Sequence, residues 1–165
     1  MDPVERVRQA LKAAGWDAAL VRELPTDTST AEAAAQAVHA PLGSIVKSLI
    51  FLADGVPILV LVSGDQRADV KRLRSILGLS KKRLRIAQPD EVLEHTGYEV
   101  GGVPPIGHTI PMRTLIDHTL SRFNPVWAAA GSSHAVFPIP YQQLVAMTGG
   151  EVVDLVEPDA GSPAD

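Results

Sequence analysis

The chain has 165 residues, a formal net charge of −4 and no cysteine. Hydrophobic residues make up 45 % of it, which is enough for one domain with a core and argues against disorder. The lack of cysteine excludes disulfides, thiolate nucleophiles and cysteine-bound metals, and the acidic charge argues against a protein that binds polyanions over its whole surface. The first residues do not have the pattern of a signal peptide, and no apolar run is long enough to span a bilayer. We therefore expect a cytoplasmic protein with no membrane partner.

The first half of the chain alternates helical and extended patterns. Apolar residues at helical spacing indicate the helices, and β-branched runs indicate the strands. Glycine and proline residues separate these elements. A possible capping box, Ser29–Glu32, opens an alanine-rich helix, and Asp54-Gly55 is a hairpin signal. The predicted elements are helices at 4–14 and 30–38, strands at 45–51 and 58–62, and a helix at 69–78.

The second half continues this mixed pattern. It predicts strands near 85–87, 114–117, 126–130, 135–139 and 151–155, and helices at 89–97 and 141–147. A hairpin beside scattered helices favours an α+β fold with a mixed sheet over a doubly wound parallel sheet. We expect a single domain over residues 1–157 and a flexible tail over residues 158–165, which are polar and rich in Pro and Gly.

Lys47 is the most informative residue, because it lies inside an apolar predicted strand. Side chains alternate along a strand, so Lys47 shares a face with Ile45, Leu49 and Phe51. An unpaired ammonium is costly to bury, so the site must supply a partner or open onto an anionic or carbonyl-bearing ligand. The alternatives are an edge strand, or a lysine whose stem reaches along the surface to water.

Two glycine-bearing segments are further candidates for chemistry. Residues 101–107 form a Gly/Pro-rich loop that could present backbone N–H groups to a carbonyl oxygen, although a rigid turn is the more frequent explanation. A second segment, residues 128–134, ends in Gly131-Ser132-Ser133-His134. A serine nucleophile beside His134 is disfavoured, because neighbouring residues rarely face each other and the G-x-S-x-G pattern is absent.

A local basic run stands out in this acidic chain. Residues 71–85 contain no acid, and their cations are Lys71, Arg72, Arg74, Lys81, Lys82, Arg83 and Arg85. Such a run could follow a phosphate backbone, whereas a solvated helix face is the more frequent explanation. The five histidines form no H-x-x-x-H pair, so we expect no metal site.

Together these segments resemble the YbaK / prolyl-tRNA synthetase-associated editing-domain family. The resemblance spans roughly residues 25–155 and depends on the order and spacing of several stretches. They are Gly43–Phe51, Leu84–Ala87, Thr96–Gly107, Leu115–Asp117 and Val126–Gly131. By position, Lys47 resembles the family lysine, Gly101–Pro105 its Gly-x-x-x-Pro loop, and Gly131 its later glycine.

The resemblance implies a mixed, mostly antiparallel, barrel-like sheet flanked by helices. It also implies hydrolysis of the ester that joins a wrong amino acid to tRNA, often tRNA for proline, with no cofactor. Pro104 stands where many members have serine. Residues 132–137 resemble a branch of the family other than the best-studied, cysteine-clearing one.

The residue pattern and the resemblance together predict a trans-editing deacylase for a small amino acid mischarged on tRNA. Its expected catalytic groups are Lys47, Gly101 and Gly102. The expected substrate-binding residues are Val103, Pro104, Pro105, Gly131 and Ser132. The expected RNA contacts are Lys71, Arg72, Arg74, Lys81, Lys82 and Arg83.

Other functions remain open at this point. One is an inactive module that only holds tRNA or a synthetase, and another is a small-molecule ester hydrolase. We expect a monomer whose partners are tRNA and, as a further option, a prolyl-tRNA synthetase.

Overall fold

The computed structural model describes residues 1–157, so the predicted flexible tail lies outside the described residues. The helices are α1 (Pro3–Ala13), α2 (Ala31–Val38), α3 (Val70–Leu77), α4 (Pro89–Thr96) and α5 (Tyr141–Thr148). The strands are β1 (Arg22–Glu23), β2 (Val46–Ala53), β3 (Val56–Ser63), β4 (Leu84–Ile86), β5 (Arg113–Asp117), β6 (Val126–Ala129), β7 (Ala135–Ile139) and β8 (Glu151–Val153).

The strands form two sheets. One has the order β1-β7-β6 and is antiparallel, and the other has the order β4-β2-β3-β5-β8. In the larger sheet β2 pairs antiparallel with β3 and β4, whereas β3–β5 and β5–β8 are parallel. A bridge between Ile45 and Trp127 joins the sheets. The mixed, mostly antiparallel α+β fold is thus confirmed, but over residues 1–157 the strands make two open sheets and not a closed barrel.

The β2–β3 hairpin forms the centre of the larger sheet. Its eight residue pairs run from Val46–Ser63 to Ala53–Val56, and Asp54 and Gly55 make the turn with positive φ. One face of β2 packs against the core shared by α1, α5, β6 and β7, and the other packs against α3. A buried strand pair of this kind gives Lys47 a rigid backbone.

The helix ends follow local side-chain chemistry, with one difference from the predicted start of α2. The predicted capping box began at Ser29, but Thr30 is the N-cap, and its side chain accepts a hydrogen bond from the Ala33 N–H at 3.1 Å. Asp69 caps α3 in the same way. This one-residue shift leaves Thr30 outside the helix with an extended backbone.

The remaining differences from the predicted elements are small. The two-residue strand β1 was not predicted, since its pattern is too short to recognise. The strand predicted at 151–155 ends at Val153. No helix among the described residues is both long enough and apolar enough to cross a membrane.

Candidate functional site

A cavity of about 260 Å³ lies at the beginning of β2. Its walls come from the segment before α2, the first turns of α2, strands β2, β6 and β7, and the loop after α4. The lining residues are Thr28, Ser29, Thr30, Ala31, Ala34, Ile45, Val46, Lys47, Ser48, Leu49, Val100, Gly101, Val103, Trp127, Ala128, Ala129 and Val136. The cavity is mainly apolar, with one lysine and a few hydroxyl groups.

Lys47 lines this cavity and is half-buried. Its Nζ donates a hydrogen bond to the backbone carbonyl of Gln66, in the loop after β3. Burial lowers the pKa of Lys47, while the carboxylates of Glu32 and Asp65 raise it and the Arg67 guanidinium lowers it further. The ammonium is therefore partly desolvated, with one neutral acceptor and two nearby acids, and can interact with a carbonyl or phosphate oxygen.

The predicted loop meets the cavity at Gly101 and Val103. Gly101 has φ +90°, and a Cβ built there would lie 2.8 Å from the Ser29 Cβ, so only glycine fits without movement. Among the described residues, neither the Gly101 N–H nor the Val103 N–H has a hydrogen-bond acceptor. The two amides are the backbone donors that this loop can offer to a ligand.

Gly102 and Gly131 hold the two glycine segments together and do not line the cavity. The Gly102 N–H donates to the Glu99 carbonyl at 3.0 Å, and the Gly102 carbonyl accepts from the Gly131 N–H at 2.9 Å. A Cβ on Gly102 would lie 2.8 Å from the Ser132 backbone, and a Cβ on Gly131 would lie 2.6 Å from the Pro3 carbonyl. In this conformation the Gly102 amide is already occupied, so close packing explains both glycines.

The other predicted substrate-binding residues also stand outside the cavity lining. Pro104 and Pro105 are buried, and the Pro104 carbonyl lies 2.7 Å from the His108 ring. Ser132 Oγ accepts from the His134 backbone N–H at 3.1 Å. The His134 imidazole is exposed and faces the Leu24 carbonyl at 3.3 Å, so Ser132 and His134 do not form a nucleophile–base pair.

The basic run extends away from the cavity along α3. Leu77, at the end of α3, shares a groove with Ala53, and the Asp54 N–H donates to the Arg83 carbonyl at 2.7 Å. Seven strand positions separate Lys47 from Asp54, about 23 Å at the usual rise per residue. The end of the run at residues 81–83 therefore lies at the opposite end of β2 from the cavity.

Three of these cations form exposed ion pairs with acids. Arg72 pairs with Asp154 at 2.9 Å, Arg83 with Asp54 at 3.8 Å, and Arg85 with Glu91 at 2.7 Å. The cations with no ion-pair partner among residues 1–157 are Lys71, Arg74, Lys81 and Lys82. In these four cations no ion pair within the described residues competes with a contact to phosphate.

Sequence reasoning missed the segment Thr28–Ala31, which forms one wall of the cavity. The carbonyl of Ser133 accepts hydrogen bonds from both the Thr28 N–H, at 2.6 Å, and the Thr28 Oγ1, at 2.9 Å, which fixes this wall against the Gly131 segment. The available signal in the sequence is the cluster of small hydroxyl residues before α2, a pattern that by itself predicts only a helix cap.

Ser48 presents an unusual polar group in the cavity wall. Its Oγ is buried without a hydrogen-bond partner among the described residues. A buried hydroxyl that lacks a partner costs about 1–3 kcal/mol. Because of this cost, Ser48 does not contribute to stability through its hydroxyl.

We expect Ser48→Ala to leave the free energy of unfolding unchanged or to raise it by up to about 1 kcal/mol, because the substitution removes an unsatisfied hydroxyl. The matched control is Ser63→Ala, since the buried Ser63 Oγ donates to the Gly43 carbonyl at 2.7 Å. That variant should lose about 1–2 kcal/mol. Urea unfolding of both variants measures the difference, and equal losses would show that Ser48 has a partner.

One cluster of acids and a histidine has metal-like spacing. Ligand atoms of Asp117, His118 and Asp154 lie within 4.8 Å of one another. However, Asp117 Oδ1 accepts from the Leu155 N–H and its Oδ2 from the Thr119 N–H, both at 2.9 Å, while Asp154 pairs with Arg72. These oxygens already have protein partners, so the cluster is explained by structural contacts.

Comparison with known proteins identifies a family and a similar solved structure. The sequence profile of a family described as "Aminoacyl-tRNA editing domain" matches residues 25–147. A solved structure described as a candidate trans-editing enzyme for prolyl tRNA synthetase superposes with a TM-score of 0.88 and 43 % identity, covering 96 % of this chain and 99 % of that one.

Curated relatives are of two kinds. The uncharacterized protein YwhH of Bacillus subtilis (strain 168) is 35 % identical over 125 residues, which are 75 % of this chain and 78 % of that protein. A proline–tRNA ligase of Solidesulfovibrio magneticus is 32 % identical over 105 residues, which are 64 % of this chain but 18 % of the ligase. This chain therefore corresponds to a small part of the ligases that it resembles.

Proposed function

Because the chain belongs to the aminoacyl-tRNA editing domain family, we propose that it is a trans-editing deacylase, which hydrolyses the ester between a small, mischarged amino acid and tRNA, with tRNA for proline as the expected type. The observation that carries this proposal is the cavity in which Lys47 and the amide-bearing Gly101–Val103 loop meet. The 43 % identity to a candidate trans-editing enzyme and the match to proline–tRNA ligases support it.

In the proposed mechanism, the chain's residues bind and polarise the ester while water attacks it. The N–H groups of Gly101 and Val103 donate to the ester carbonyl oxygen, which becomes negative as water adds. The Lys47 ammonium lies near the ribose or terminal phosphate and offsets the developing charge. As the ester C–O bond breaks, a proton passes from the attacking water, by way of the neighbouring free ribose hydroxyl, to the ribose oxygen that leaves. The products are the free amino acid and tRNA with both ribose hydroxyls. The neighbouring hydroxyl takes this part because no described side chain of the cavity lining is an evident general base.

The cavity would select its amino acid mainly by size. The cavity of about 260 Å³ has walls such as Ala31, Ala34 and Trp127, and in the proposed complex it must hold the ester and part of the ribose together with a small amino acid side chain. Size exclusion of this kind discriminates only modestly between amino acids, because one methylene group changes the binding free energy by about 1–3 kcal/mol. We therefore propose a panel of small amino acids as candidate substrates, with alanine and serine among them.

We propose that the tRNA backbone follows α3 towards the far end of β2. Replacing Lys71, Arg74, Lys81 and Lys82 together by glutamine should flatten the dependence of tRNA affinity on salt. Each lost phosphate contact lowers the slope of log K against log salt by roughly 0.7–0.9. Filter-binding measurements of tRNA affinity between 50 and 200 mM salt give this slope.

The matched control for this salt experiment is Arg85→Gln with Arg113→Gln. Both arginines are exposed but pair with acids, Glu91 and Glu151. Their replacement should leave the slope nearly as it was. A slope that is unchanged in the fourfold variant would assign the basic run to solvent.

A competition experiment separates the proposed deacylase from its two rivals. The protein is incubated with mischarged tRNA and with a simple aminoacyl ester of the same amino acid. A tRNA deacylase turns over the tRNA substrate, and uncharged tRNA inhibits it. A small-molecule hydrolase cleaves the simple ester without inhibition by tRNA, and an inactive module binds tRNA without turnover. Either of these last results would overturn the proposal.

A further inference from the structure

The loop after β3 is tied closely to the start of β2. The Gly64 N–H donates to the Ile45 carbonyl at 2.7 Å, and the Gln66 N–H donates to the Ser63 carbonyl at 3.0 Å. The Gln66 carbonyl accepts the hydrogen bond from Lys47 Nζ. The direction of this carbonyl therefore determines where the ammonium rests.

An ion pair outside the cavity lining holds the same loop. Arg122 Nη2 lies 2.7 Å from Asp65 Oδ1, and Arg122 Nη1 lies 3.2 Å from Asp65 Oδ2. The arginine is itself fixed, because its Nε donates to the Thr119 carbonyl at 2.7 Å and its guanidinium lies 5.0 Å from the Phe123 ring centroid. A two-point pair with a fixed arginine restrains Asp65 more than a single contact would.

We propose that Asp65 and Arg122 are positioning residues for Lys47, because their ion pair fixes the loop whose Gln66 carbonyl holds the ammonium. This inference rests on the proposed function only in assigning Lys47 to the reaction. A backbone carbonyl cannot be removed by replacing the Gln66 side chain. The ion pair one residue earlier is therefore the place where side chains control the direction of that carbonyl.

The charges around Lys47 give this arrangement an electrostatic consequence. Glu32 faces it from α2, while Asp65 and Arg67 face it from the loop, with Arg122 behind Asp65. Burial lowers the pKa of Lys47, and Asp65 is one of two acids that raise it. Loss of the Asp65 charge should move the alkaline limb of the activity profile to lower pH, since the cation is then lost earlier as pH rises.

The test uses Asp65→Asn and Arg122→Met, singly and together. We expect each single variant to lower the single-turnover deacylation rate about tenfold, while KM for tRNA changes less than twofold. The double variant should be no worse than either single one, because both remove the same contact. In Asp65→Asn the alkaline limb should also shift to lower pH.

The matched controls are Glu91→Gln and Arg85→Met, which break an exposed two-point pair with distances of 2.7 Å elsewhere in the fold. They should leave the rate and the pH profile unchanged. The positioning role is refuted if the Asp65 and Arg122 variants keep the wild-type rate and pH profile. A loss of thermal stability alone would not support it.

A second readout does not depend on deacylase activity. Lys47 is acetylated with a limiting reagent, and mass spectrometry compares its labelling rate with that of the exposed Lys12 in the same sample. Release from the Gln66 carbonyl should raise the relative labelling of Lys47 severalfold in both single variants. Unchanged labelling would refute the inference even if the protein deacylates tRNA, whereas increased labelling in a protein without deacylase activity would refute only the proposed function.

A third variant disturbs the pair without removing either charge. A Cβ on Gly43 would lie 2.5 Å from the Phe123 ring and 2.8 Å from Asp65 Oδ2. Gly43→Ala should therefore displace the pair and reproduce the increase in Lys47 labelling. Wild-type labelling in a folded Gly43→Ala protein would contradict the proposed dependence on this geometry.

Discussion

Lys47→Ala should lower the rate of deacylation of mischarged tRNA by about 10²–10³-fold, the usual effect of removing one group that stabilises developing negative charge. Among residues 1–157, the Lys47 ammonium is the one cation in the cavity lining. Without it, only the loop amides would stabilise the negative charge that develops on the ester carbonyl oxygen. Single-turnover measurements at saturating protein isolate the chemical step from tRNA binding.

The control for this variant is Lys12→Ala, which removes an exposed lysine in the last turn of α1. It should retain the wild-type rate. Folding should survive the loss of Lys47, because the strand is held by the β2–β3 pairing and the ammonium makes a single backbone contact. Equal deacylation rates for Lys47→Ala and the wild type would remove Lys47 from the mechanism.

Gly101→Ala should have the second large effect, on both stability and activity. A non-glycine residue at φ +90° costs roughly 1–2 kcal/mol. The new Cβ would in addition meet Ser29 at 2.8 Å, so the loop or the wall at residues 28–30 must move. Because both line the cavity, we expect the deacylation rate to fall by at least tenfold.

Gly15→Ala is the matched control for backbone strain. Gly15 has φ +80°, but a Cβ there would meet no atom within 4 Å. Gly15→Ala should therefore lower the free energy of unfolding, measured by urea titration, through backbone strain alone. Its deacylation rate should equal that of the wild type. If Gly101→Ala behaves like Gly15→Ala, the loop does not take part in the site.

The sequence was sufficient to predict the central elements and the position of Lys47. The β-branched run around it and the Asp54-Gly55 turn predicted the hairpin, and the structure confirms both. Alternation placed Lys47 on the face of Leu49 and Phe51. Local patterns sufficed here because period, turn chemistry and burial all indicate the same structure.

The exact contacts of each glycine could not be predicted from the sequence. In the sequence, Gly101, Gly102 and Gly131 are all simply glycines in loop segments, and nothing there distinguishes them. In the described residues only Gly101 of the three lines the cavity. Gly131 is required because the α1 segment at Pro3 passes close to it, a contact between residues 128 positions apart. Such long-range packing leaves no trace in the spacing of either segment.

The charge pattern was likewise incomplete. Arg72 and Arg83 stay predicted RNA contacts, but the sequence does not reveal that acids from a distant and a neighbouring segment pair with them. Asp65 and Arg122, which lie 57 positions apart, show no pattern that would link them. Pairing across the fold decides which cations remain available, and sequence order does not record it.

The most direct test of the proposed deacylase activity is ester loss from a panel of tRNAs mischarged with small amino acids, at one protein molecule to fifty substrate molecules. We predict many turnovers on at least one small amino acid attached to tRNA for proline, and no loss from correctly charged prolyl-tRNA. Ester loss at the uncatalysed rate across the whole panel, with tRNA binding intact, would contradict the proposed activity.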